Sequence, residues 1–143
     1  MLDVTLGLKR LVLGCLALAL SALAQAQTGP ALQSGEQVYR ETCMACHGAG
    51  VANAPRFGDK KAWAKLIAEG QPVLSADAWV GVRAMPPQGG RADLSLEEFA
   101  RATVWMANAA GANWKEPDAR MMERIRAAEK KRIADLKKRA KGG

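Results

Sequence analysis

Cys43-Met44-Ala45-Cys46-His47 sets two thiols three positions apart, with a histidine directly after the second. C-x-x-C-H is the attachment pattern of a c-type haem. Two intervening residues let both sulfurs reach one edge of the macrocycle while the next side chain turns beneath it. Cys43 and Cys46 are therefore expected to hold one covalent haem c, with His47 as the proximal iron ligand.

The remaining inventory gives this motif no competitor. His47 is the only histidine, and Cys15 is the only other cysteine. A structural zinc site needs about four Cys, His or carboxylate ligands, so zinc is a poor reading. A thioredoxin-like C-x-x-C should follow a strand, whereas Glu36-Gln37-Val38-Tyr39-Arg40-Glu41 reads as helix. A plain Cys43–Cys46 disulfide would leave a small domain without a staple and the histidine without a task.

Residues 1–26 read as a secretory signal peptide. Lys9 and Arg10 form its charged region, Leu11–Ala24 its apolar region and Ala24-Gln25-Ala26 an A-x-A cleavage site. The apolar run is shorter than the ~20 residues a spanning helix needs. Cleavage would remove Cys15 with the leader. The expected location is the periplasm, which agrees with haem attachment outside the cytoplasm. Residues 27–114 are then one small domain of zero net charge, with eight Lys/Arg against eight Asp/Glu. Residues 115–143 form a basic extension with eleven against five. The overall charge of +7 belongs to this tail.

The periodicity predicts helices and almost no strand. Ser34 with Gln37 makes a capping box for a first helix running to the haem motif. Asp59 caps a second over 60–69, ended by Gly70. A third covers about 73–82. Ser95 with Glu98 caps a fourth over 96–109, in which Phe99, Thr103, Met106 and Ala110 share the buried face. An Ala-, Glu-, Lys- and Arg-rich tail helix runs from about Asp118 to Ala140. Met122, Ile125, Ile133 and Leu136 give it a thin apolar stripe, so a solvated charged helix is favoured over a docking element.

With one histidine used, the sixth iron position falls to methionine, water or nothing. Met1 leaves with the leader, and Met44 lies between the attachment cysteines. Met106 sits on a buried helix face, and Met121 and Met122 lie in the tail. Met85 remains, in Ala84-Met85-Pro86-Pro87-Gln88-Gly89-Gly90. The two prolines stiffen a non-helical loop that can present a soft thioether to iron. The plainer alternative, a loop methionine that fills a gap, stays open at this point.

These segments resemble the small class I c-type cytochromes, most closely the bacterial cytochrome c5 group. The matching pieces are Cys43–Gly48, Ala54-Pro55-Arg56-Phe57-Gly58-Asp59-Lys60-Lys61-Ala62-Trp63, Ala84–Gly90 and Leu94-Ser95-Leu96-Glu97-Glu98. The resemblance covers about residues 34–110. It implies an all-α fold of about four helices around one covalent haem, here with a C-terminal helical tail. It implies His47 and Met85 as axial ligands, and a Pro55 carbonyl that accepts a hydrogen bond from His47. Members of the group often carry a cysteine pair after the Met-loop glycines. Here those positions are Arg91 and Leu94, so a looser loop is expected. The tail also lies outside the family pattern.

The function implied is one-electron transfer by Fe(III)/Fe(II) cycling, with no catalytic residues. Met ligation and an apolar pocket both favour the ferrous form. Candidate pocket residues are Phe57, Trp63, Leu66, Ile67, Trp79, Val82, Phe99 and Trp105. Trp63 and Arg56 are also candidates for contact with a haem propionate. Redox partner proteins would meet the exposed haem edge of a monomer. The tail is free to attract an acidic partner or an anionic membrane surface. Nucleic acid does not fit an exported protein. Rival readings are a subunit of a larger oxidase or dehydrogenase complex and a haem enzyme with a displaceable sixth ligand, the latter lacking a second histidine for acid–base work.

Overall fold

The computed structural model describes residues 31–143. The expected leader and Cys15 lie outside them. Among the described residues there is no strand, only an isolated bridge between Val82 and Met85, and no helix is long and apolar enough to cross a membrane.

Ser34 starts the first rod by accepting the Gln37 amide at 3.2 Å. Only this half of the expected capping box forms. The Gln37 side chain instead donates to Glu41 at 3.0 Å, one turn further on, where a charged acceptor is within reach. Helix α1 (Gly35–Val38) runs into a π turn (Tyr39–Cys43) and then α2 (Met44–His47). In that turn the Met44 amide bonds to the Tyr39 carbonyl, five residues back. Such one-residue insertions often mark functional sites. This one falls directly before the haem motif.

Asp59 caps α3 (Lys60–Ala68) through the Ala62 amide at 3.0 Å. Helix α4 (Gln71–Val80) starts and ends two residues before the expected bounds. Pro72 in its first turn presets the helical φ, and Gly81 at φ 96° ends it. Helix α5 (Leu96–Ala109) has the reciprocal Ser95–Glu98 capping box and buries Phe99, Thr103 and Met106, as the periodicity predicts. Helix α6 (Ala119–Gly142) begins at Asp118, whose carboxylate accepts the Met121 amide at 2.7 Å.

Helices α1 and α5 cross with backbones in contact. A methyl group on Gly35 would overlap the Arg101 carbonyl, so only glycine fits the crossing. The core beneath contains Val38, Tyr39, Cys43, Trp63, Leu74, Leu94, Phe99 and Met106.

The tail differs from the expected solvated helix in its first half. Residues Leu32–Gly143 form one compact unit, so packing continues across the compositional boundary at residue 115. Met122 and Ile125 pack with Ala76 and Ala100, and Ile125 is 0% exposed. Burying such a side chain contributes about 1.5–3 kcal/mol. Gln71 donates to the Lys115 carbonyl at 3.1 Å, Trp79 Nε1 to Glu129 at 3.0 Å, and Arg132 pairs with Asp77 at 3.6 Å. Helix α6 therefore runs alongside α4. Beyond Arg132 the expectation holds: Ile133 and Leu136 are 37% and 38% exposed. The thin stripe was misleading because two well-placed side chains are enough to anchor a helix whose other faces stay wet.

Ile125→Ala should lower unfolding free energy by about 3 kcal/mol in denaturant titration. Ending the chain after Arg132 should change it by less than about 0.5 kcal/mol.

Candidate haem site

Cys43 and His47 stand one helical turn apart and share the buried face of the first rod, while Cys46 is exposed. No disulfide joins the two cysteines, which leaves both sulfurs available for another bond. Burial pushes the Cys43 thiol up to about 11. At neutral pH it is a neutral thiol and brings no unpaired charge into the core.

His47 is held from two sides. Its Nδ1 lies 2.9 Å from the Pro55 carbonyl oxygen. A carbonyl can only accept, so Nδ1 carries a hydrogen, and the neutral imidazole then has its lone pair on Nε2. The His47 carbonyl in turn accepts the Phe57 amide at 2.7 Å. This tautomer is the one a metal ligand needs. The Trp63 ring stands 6.1 Å from the imidazole.

Trp63 commits its indole hydrogen inside the protein. Its Nε1 donates to the Arg56 carbonyl at 2.8 Å, because a buried indole satisfies its one donor on the nearest acceptor. Trp63 thereby fastens the loop that carries Pro55. The Arg56 side chain lies along Gly50 and is exposed. Phe57, a pocket candidate, lies at the surface and stacks on Tyr39 with centroids 4.5 Å apart. Sequence reasoning missed Tyr39. Its position four residues before Cys43 was the available signal, since that spacing shares a helix face.

Met85 is half-buried and packs on the core. Two backbone hydrogen bonds with Val82, at 3.1 and 2.9 Å, pinch the loop immediately before Pro86. Gly81 opens it. A Cβ there would come within 3.0 Å of the Pro87 nitrogen, in addition to the strain of φ 96°. The other methionines divide as expected: Met44 is exposed, Met106 and Met122 are buried in helices, and Met121 lies in α6. Leu66, Ile67, Trp79 and Phe99 pack around the same core, and Val82 is half-buried. Trp105 does not join them. It is 39% exposed on another face of α5, in a surface groove with Ser34, Arg101 and Trp114.

Two sulfurs on one helix, an imidazole with a free Nε2 and a thioether on a stiff loop make a donor set that fits haem c. Known proteins agree. The family model for "Cytochrome C oxidase, cbb3-type, subunit III" matches residues 30–106, more than half of the chain. Cytochrome c5 of Azotobacter vinelandii is 43% identical over 77 residues, which span 52% of this chain and 92% of that protein. Cytochrome c5 of Ectopseudomonas mendocina is 41% identical over 85 residues, 57% of this chain and 97% of its own. The chain belongs to the class I c-type cytochromes, in the cytochrome c5 group. A solved cytochrome c, described in an electron transfer complex with nitrite reductase, is 44% identical. It covers 59% of this chain and 99% of its own, with a TM-score of 0.52. The cofactor of this cytochrome is one covalent haem c, and the family match ends inside α5, before the α6 extension.

Trp63→Phe keeps the ring and removes the bond to Arg56. It should cost the holoprotein about 0.5–1.5 kcal/mol, the net worth of one hydrogen bond, because the Arg56 carbonyl keeps the Asp59 amide. Amide hydrogen exchange at Phe57 should speed up as the Pro55 loop loosens.

Proposed function

We propose that this cytochrome carries single electrons between redox partner proteins in the periplasm, and that it is not an enzyme. The observation that carries the reading is the buried His47. Its Nδ1–H is committed to Pro55, and it sits on the same rod as the two cysteines.

In this reading Cys43 and Cys46 would hold haem c covalently, and His47 Nε2 and the Met85 thioether would be the ligands to its iron. When bound, haem c supplies a one-electron couple. Pro55 fixes the imidazole plane and raises its basicity. Trp63 holds the Pro55 loop in place. Phe99, Leu74 and Met106 keep water away from the site, which disfavours the more highly charged oxidised form. A ligand set held from both sides leaves little to rearrange when the charge changes. Residues 1–26 serve as the export leader and residues 27–114 as the cytochrome domain. The basic end of residues 115–143 attracts an acidic partner or an anionic membrane surface.

The relatives support electron transfer, since one works in an electron transfer complex with nitrite reductase. The family description favours a second reading, in which the protein is a cytochrome subunit fastened to a larger oxidase. Copurification of a stoichiometric partner from membranes would select it.

The ferric holoprotein should show a low-spin spectrum with a sulfur-to-iron charge-transfer band, and the ferrous form should not respond to carbon monoxide. Met85→Ala should lose the band and bind carbon monoxide. A parent protein that is high-spin or binds carbon monoxide would overturn Met85 ligation and favour a gas-reactive haem enzyme. Ending the chain after Arg132 removes Lys137, Lys138, Arg139 and Lys141 without opening the core. This should slow electron exchange with an acidic partner at low salt, and the rates should merge with the parent's at high salt.

A further inference from the structure

The loop that carries Met85 is costly to hold in one shape. Arg83 and Gln88 both lie at φ 56°, in the left-handed region that side chains rarely adopt. Such residues persist only where the surroundings over-determine them. The Val82–Met85 pair fixes the loop's start. Its end has no cysteine staple of the kind the resembling group often carries, because those positions are Arg91 and Leu94.

Arg91 fills this gap. Its Nη1 donates to Glu41 Oε2 at 3.1 Å and to Thr42 Oγ1 at 3.2 Å. Its Nη2 donates to Gln33 Oε1 at 3.4 Å and to Asp93 Oδ2 at 3.3 Å, and Nε donates to Asp93 at 3.2 Å. One planar fork therefore ties the loop to the π turn, at the residue directly before Cys43. Lysine has no such fork. Gly89 lies flat against the same place: a Cβ there would sit 3.4 Å from Thr42 Cγ2. Leu94 plugs into the core three residues after Arg91. Arg91 is only partly screened by water, with its side chain 28% exposed.

We propose that Arg91 is a positioning residue that clamps the Met85 loop to the haem-bearing rod and so keeps the methionine on the iron. The inference rests on the proposed Met85 ligation. Each exposed ion pair by itself is worth little, so the clamp acts mainly on local opening of the loop and much less on global unfolding.

The test uses the holoprotein with imidazole as the entering ligand. Arg91→Ala should let imidazole displace the ferric methionine about tenfold faster, as expected for losing a few partly exposed charged contacts that are each worth little. The charge-transfer band should disappear at a lower temperature, while the global denaturation midpoint moves little. Arg91→Lys should recover less than half of the effect. If Arg91→Ala folds poorly, Glu41→Gln removes the charged partner and should give a smaller shift in the same direction. In a double-mutant cycle the two changes should be non-additive. Unchanged imidazole kinetics in both variants would overturn the clamp. Failure of the Met85 reading is distinguishable, because the parent itself would then lack the band. In that case faster amide exchange at Gly89 and Arg91 in Arg91→Ala would still support the clamp, and unchanged exchange would refute it.

Discussion

One hydrogen bond decides what this fold can do. The Pro55 carbonyl accepts a hydrogen bond from His47 Nδ1, so the neutral imidazole offers Nε2 as its ligating nitrogen. Most of the neighbouring architecture serves that bond. Asp59 starts α3, α3 places Trp63, and Trp63 holds the Arg56 carbonyl, so the residue before it stays opposite the imidazole. The Phe57 amide closes the loop back onto His47 itself. A buried, fixed imidazole suits a site whose charge changes while its ligands stay still.

His47 and Met85 are held differently. His47 is held by a helix and a short loop close in sequence. Met85 sits on a segment with left-handed residues on either side of it, and its restraints come from distant parts of the chain. A pair of backbone bonds fixes the near end, and a guanidinium fork fixes the far end across some fifty residues of sequence. The methionine side is therefore where local opening would begin, because its ties are polar and partly exposed.

The α6 helix joins an otherwise ordinary small cytochrome to a basic rod. Its first half is structural: Ile125 and Met122 seal α4 and α5, and Glu129 occupies the Trp79 donor. Trp79 meets Phe99 edge-on at 5.4 Å, so the tail bears indirectly on the core. Beyond Arg132 its side chains lie largely at the surface. One helix thus combines a packed section with a free, positively charged end.

The sequence by itself determined the helices and the chemistry. Caps at Ser34, Asp59, Ser95 and Asp118 are local signals, because each side chain accepts from the amide three residues on. The C-x-x-C-H run and the Pro-stiffened Met85 loop are equally local signals. Tertiary structure alone decided where Trp63 spends its indole hydrogen, that Trp105 stands at the surface, that Arg91 bonds Glu41 and Thr42, and that Met122 and Ile125 of a charged tail are buried. Each of these depends on which acceptor or apolar surface a distant segment brings within 3 to 4 Å. Composition and periodicity give the side chain's preference, but only the fold supplies its partner.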